Sequence, residues 1–148
     1  MKNSFITLSG KETEKIGFNL AKKIAAQRHS IILALNGELG SGKTIFTKGF
    51  LKGLGVKEKI VSPTFIIFRH YNVNLSYFKN IYHFDFYRIK SYRELKILGF
   101  DKILKEPKAL IIIEWAQKIK KYLPKETIWI NFQYGREINT RKITFDKK

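Results

Sequence analysis

The chain has 148 residues, and its 29 Lys and Arg against 12 Asp and Glu give a net charge of +17. It contains no Cys, which removes disulfide scaffolds and thiol chemistry; at this length about 70% of the unfolded surface is buried on folding, enough for a core without staples. The longest apolar runs, Ile31–Leu35 and Ala109–Ile113, fall far short of the ~20 residues a membrane-spanning helix needs, and MKNSFITLSG carries no apolar signal segment, so the expectation is one cytoplasmic domain over residues 1–148 with no membrane partner.

In chain order, Ser4–Leu8 has the pattern of a short strand. Ser9-x-x-Glu12 is a capping box opening a helix with Ile16, Leu20 and Ile24 on one face. Ile31–Leu35 is continuously apolar, as a strand buried on both faces is. Gly37–Thr44 is a glycine-rich turn into a second helix, which Leu54-Gly55 ends with Gly as its C-cap. Phe65–Tyr71 and Ile81–Phe86 read as strands on either side of a polar loop at 72–76. Ser91-x-x-Glu94 is a second capping box, for a helix stopping near Leu98-Gly99. Ala109–Ile113 is a second buried strand, and a helix follows near Gln117–Tyr122. Thr127–Tyr134 alternates, with Ile128, Ile130, Phe132 and Tyr134 on one face, and Arg141–Phe145 follows across a turn. Strands interleaved with helices predict a three-layer α/β domain with a mainly parallel central sheet. Its last two strands are expected as an antiparallel hairpin on the sheet edge.

The strongest motif is Gly37-Glu-Leu-Gly-Ser-Gly42-Lys43-Thr44, a full P-loop. Glycines let the backbone wrap an anion with consecutive N–H groups. Lys43 would bridge the β- and γ-phosphates of a nucleoside triphosphate, and the Thr44 hydroxyl would ligate Mg²⁺. Its place between a buried strand and a helix is what this chemistry requires and makes the domain P-loop NTPase-like. Ala109–Glu114 has the form of the strand that presents an acid to that Mg²⁺, with Glu in place of the commoner Asp. Its neighbour Trp115 could pack in the core or gate the site. In Tyr82–Arg88, alternation sets His83, Asp85 and Tyr87 on one face. Taken alone that row reads as a solvent-facing side. Beside a P-loop, Asp85 becomes a candidate to assist Mg²⁺ or to position water. Ser62-Pro63-Thr64-Phe65 lies where many P-loop proteins place a segment that senses the γ-phosphate.

GELGSGKT, SPTF, YHFDFYR, the Glu94–Gly99 segment and IIIEW stand in this order along the chain. Together they resemble the bacterial TsaE (YjeE) family, the small ATPase component of the machinery that makes threonylcarbamoyladenosine on tRNA. The resemblance implies ATP and Mg²⁺ as ligands, with Gly37, Gly40, Ser41, Gly42, Lys43, Thr44 and Ile45 around the phosphates and Thr44 and Glu114 at the metal. It implies Asp85, Glu114, Trp115 and Thr64 as the residues of hydrolysis. Thr13 and Arg136 fall where the family contacts nucleotide outside the P-loop. Ile45 stands where the family often has a second Thr. The resemblance further implies docking on a TsaB–TsaD complex, contact with tRNA only through that complex, and weak hydrolysis stimulated by the partner. Arg88 is the one Arg placed to act as an arginine finger of the chain's own.

Two other functions stay open at this point. A small-molecule P-loop kinase needs a cationic lid, yet the chain has six Arg and no Arg-rich loop ahead of the Glu114 strand. A basic nucleic-acid-binding module using ATP as a sensor would suit the charge. However, 23 of the 29 basic residues are Lys, spread along the chain, and no RNA- or DNA-binding motif accompanies them.

Overall fold

The computed structural model describes residues 2–61 and 66–146. Its strands are β1 (Lys2–Thr7), β2 (Ile31–Asn36), β3 (Phe68–Asn72), β4 (Asn80–Asp85), β5 (Ala109–Glu114), β6 (Ile128–Tyr134) and β7 (Arg141–Asp146). Helices α1 (Gly10–Ala25), α2 (Lys43–Gly53), α3 (Tyr92–Ile97) and α4 (Phe100–Leu104) are joined by a 3₁₀ segment at Ala116–Tyr122. The strands form one seven-stranded sheet in the order β1-β7-β6-β2-β5-β4-β3. The central pairs β6–β2, β2–β5 and β5–β4 are parallel, while β1–β7, β7–β6 and β4–β3 are antiparallel.

Helices cover both faces, as expected of a three-layer domain. Leu33, Leu35, Leu110, Ile112, Ile130 and Phe132 pack with α1 and α2. On the other face Ala34, Phe84, Ile111 and Ile113 pack with Leu95, Phe100 and Ile119. β5 is buried at every position, which is why its sequence shows no polar alternation. Helices α1 and α2 cross so closely that a Cβ on Gly49 would lie 1.9 Å from the Glu14 carbonyl oxygen, and one on Gly17 would lie 2.2 Å from that of Phe46. Glycine is thus required there by proximity.

Several details differ from the sequence reading. The β6–β7 hairpin is not on the edge, because β1 pairs with the free side of β7 and becomes the edge strand. Segment 116–122 is a 3₁₀ helix kinked at Ile119 (φ −123°). Strand β3 begins at Phe68, after a left-handed Ile67 (φ 68°), and β4 ends at Asp85. Ser9 does cap α1, its hydroxyl accepting the Glu12 N–H at 3.2 Å while Glu12 accepts the Leu8 N–H at 2.7 Å. Ser91 makes no such side-chain cap. Helix α3 closes before Gly99 (φ 78°), and the short α4, anchored by fully buried Phe100, is an element the local pattern did not announce. No helix among the described residues is long and apolar enough to cross a membrane.

Candidate functional site

The glycine-rich loop leaves the C-terminal end of β2 and enters α2. Gly40 (φ 75°) and Gly42 (φ 104°) are in the left-handed region that glycine tolerates. The first intrahelical bond of α2 runs from the Phe46 N–H to the Gly42 carbonyl at 2.9 Å. The N–H groups of Lys43, Thr44 and Ile45 therefore precede the helix ladder. No side chain caps this end, and no acid stands in its first turn. Backbone donors at such an end attract an anion, and the helix dipole adds to the attraction.

The Lys43 ammonium donates to the Gly37 carbonyl (2.5 Å), the Glu38 carbonyl (2.8 Å) and the Ser41 hydroxyl (3.3 Å). It also lies 4.4 Å from the centre of the Trp115 ring, a cation–π contact. Burial lowers its pKa, while the charges of Glu114, Asp85 and Glu38 act in the opposite sense. Trp115 reaches the ammonium from a left-handed backbone (φ 59°), where β5 turns into the 3₁₀ segment. It also packs against Tyr87 with ring centres 5.0 Å apart.

Glu114 is the hub of the site. Its Oε2 accepts the Thr44 hydroxyl at 2.8 Å, and its Oε1 is 2.8 Å from Nε2 of His83. Glu114 and His83 are each 1% exposed, so this carboxylate is held between two donors out of water. Asp85 stands opposite Glu114 in the β4–β5 register and is also buried. Its Oδ1 accepts the Tyr87 N–H at 3.0 Å. The row His83–Asp85–Tyr87 is therefore not a solvent-facing side. His83 and Asp85 point into the protein, and only Tyr87, past the strand end, is exposed.

The remaining candidates sit at different distances from this centre. Thr13 is buried against the loop, its Cγ2 3.4 Å from where a Cβ on Gly42 would be, and its hydroxyl bonds that of Thr7 at 2.8 Å. Ile45 turns its side chain toward Gly10 at the start of α1 and offers the cradle only its backbone. Arg136 is exposed in the turn between β6 and β7, and Arg88 is exposed beyond β4. Thr64, with the rest of Ser62–Phe65, lies outside the described residues.

Two residues that the sequence reading did not single out brace the loop. Arg141 donates to the Gly40 carbonyl at 3.1 Å, its guanidinium 4.7 Å from the Tyr134 ring centre, and the Tyr134 hydroxyl donates to the Leu39 carbonyl. The signal available was topological. Tyr134 and Arg141 face each other across the hairpin, and β6 runs parallel to the strand that delivers the loop.

The site's chemistry suits a metal–polyphosphate ligand. A hydroxyl and a carboxylate are hard oxygen donors of the kind Mg²⁺ takes, and Mg²⁺ is usually held by one or two protein ligands plus substrate phosphates. Among the described residues no group of three or more His, Asp or Glu could hold a metal unaided. Thr44 and Glu114 would hold the cation at its protein side, next to a loop shaped for phosphate.

Comparisons with known proteins agree with one another. The family model for "Threonylcarbamoyl adenosine biosynthesis protein TsaE" matches residues 7–143. The tRNA threonylcarbamoyladenosine biosynthesis protein TsaE of Bacillus subtilis is 37% identical over 140 residues, covering 94% of this chain and 82% of its own length. Its namesake from Rickettsia prowazekii is 40% identical over 129 residues, covering 86% and 84%. The crystal structure of Bacillus subtilis YdiB matches with a TM-score of 0.76 at 32% identity, over 99% of this chain and 86% of that one.

Proposed function

The chain belongs to the TsaE family, and from that premise we propose that it is a P-loop ATPase of threonylcarbamoyladenosine synthesis on tRNA, binding Mg²⁺-ATP and hydrolysing it weakly until it docks on a TsaB–TsaD complex. The observation that carries this reading is the Thr44–Glu114 hydrogen bond of 2.8 Å beside Lys43. It joins the phosphate loop to the acid at the end of the neighbouring strand.

In this reading the 37–42 loop and the first turn of α2 bind the phosphates, and Lys43 exchanges the loop carbonyls for phosphate oxygens. Mg²⁺, when bound, supplies neutralisation of the charge on those oxygens. Glu114 keeps its orientation through His83, and Thr44 keeps the hydroxyl in place for the cation. Asp85, buried beside Glu114, orients water near the phosphate end. Trp115 shields the ammonium from solvent. The low intrinsic rate follows from the placement of the arginines. Arg141 is engaged by the loop carbonyl of Gly40, and Arg88 and Arg136 are exposed beyond β4 and in the β6–β7 turn, so the proposed source of positive charge for the reacting phosphate is the docked partner. The cytoplasm, where tRNA is modified, is the proposed setting.

The test is steady-state ATP hydrolysis with Mg²⁺, with and without purified TsaB–TsaD. Stimulation of several-fold or more supports the reading. A rate unchanged by the partner leaves a nucleotide-binding protein whose hydrolysis serves some other acceptor.

A further inference from the structure

A groove of about 520 Å³ lies between α1 and the sheet, at the end remote from the phosphate loop. Ile31 and Ile128, the first residues of β2 and β6, line it, whereas the loop leaves the other end of β2. Its volume is in the range of small-molecule pockets, about 300–1,000 Å³.

The groove exists because of how α1 is seated. The helix turns its small residues, Thr13, Gly17 and Ala21, into the buried contact, and the glycine crossings pull it tightly onto α2. Its apolar stripe Ile16 and Leu20 is left only half-buried and lines the groove. The opposite wall carries Phe5 and Phe145, packed edge to face at 5.6 Å, and Phe5 is 43% exposed. Lys23, Lys125 and His29 stand in the lining, with Glu126 the one acid among the described lining residues.

We propose that this groove binds a small amphipathic carboxylate, its alkyl or aryl body between Ile16, Leu20, Phe5 and Phe145 and its acid group served by Lys23 and Lys125. The apolar walls exclude a highly charged nucleotide, and the two lysines of the lining favour an anionic head over a neutral one. This site is separate from the phosphate loop and does not depend on the ATPase reading.

The probe is 1-anilinonaphthalene-8-sulfonate, an aryl anion whose emission rises in apolar surroundings, titrated onto the full chain with and without ATP. One saturable site per chain is expected, unaffected by ATP and displaced by decanoate at concentrations about tenfold below those needed for decanol. Leu20→Trp, which fills the groove, is expected to abolish this site. The surface pair Lys23→Glu and Lys125→Glu, which leaves the packing untouched, is expected to weaken decanoate about tenfold and leave decanol unchanged. Equal displacement by decanol and decanoate overturns the carboxylate assignment. A saturable site that survives Leu20→Trp, or no saturable site in the unsubstituted chain, overturns the groove.

Discussion

Nε2 of His83 stands 2.8 Å from Oε1 of Glu114, with both side chains shut away from solvent. A buried carboxylate needs donors for its oxygens, and here one oxygen has His83 and the other Thr44. His83 is therefore a positioning residue, acting on the site only through Glu114. Replacing it by Leu leaves one buried oxygen unserved, at a cost of about 1–3 kcal/mol in stability. His83→Gln, whose amide can donate from a similar position, is expected to recover most of that loss. Thermal melts of the two variants decide the matter. Equal melting points would mean that the imidazole merely fills space.

Glu114→Ala is expected to keep nucleotide affinity within a few-fold while hydrolysis falls by about a hundredfold or more. On the proposed reading, the loop binds the phosphates and the carboxylate serves the metal. Equilibrium binding of a fluorescent ATP analogue, set beside a turnover assay, separates the two effects. Loss of binding with loss of turnover would remove Glu114 from the metal site.

Lys43→Ala acts on the other half of the ligand. Losing charge-assisted bonds to phosphate is expected to weaken ATP binding by about tenfold to a hundredfold. Trp115 also reports on this lysine, being 4.4 Å from its ammonium. In a Trp129→Phe background, ATP is expected to change Trp115 emission, and Lys43→Ala is expected to remove that change. An ATP-insensitive Trp115 would place the ring outside the nucleotide-responsive centre.

Arg141→Ala deletes the bond to Gly40 and the stacking on Tyr134. The loop is the part it braces, so the expected signature is local. Amide exchange at residues 39–42 is expected to quicken and ATP affinity to fall about three- to tenfold, while global stability changes by about 1 kcal/mol or less. Exchange that quickens across α1 and α2 as well would make Arg141 a global brace.

Gly49→Ala tests the helix crossing. Alanine gains about 1 kcal/mol in helix propensity, but its Cβ would lie 1.9 Å from the Glu14 backbone oxygen, which cannot yield without moving α1. The clash wins, with an expected net loss of about 2–3 kcal/mol and a melting point lower by roughly 5–10 °C. A variant as stable as the parent would show that α1 slides freely.

The phosphate loop and Glu114 were legible because their chemistry dictates local spacing. Three glycines, a lysine and a threonine in one turn, and four aliphatic residues before an acid, each carry their reason within a few residues. His83 was harder. Alternation fixes the side of the strand a residue occupies but not whether that side is covered, and here His83 is 1% exposed against Glu114. The place of β1 was hidden for a related cause, since pairing with β7 joins residues 134 to 144 positions apart along the chain. Arg141 escaped because its role depends on the parallel placement of β6 beside β2, and that placement leaves no local trace. Thr64 was singled out by its place after the phosphate-loop helix and by the family resemblance, and it lies outside the described residues.

Lys43 has its three donors on Gly37, Glu38 and Ser41 and its charge against Trp115. Without nucleotide, the loop already has an internal occupant for its cation. A ligand therefore enters by exchange, and its affinity is a difference between two sets of contacts. An anion with only a few oxygens gains little over the carbonyls it displaces. On the proposed reading, a triphosphate would reach the lysine, the α2 amides and the Thr44–Glu114 pair at once, so self-occupancy would act as a threshold that favours the longer ligand over inorganic phosphate.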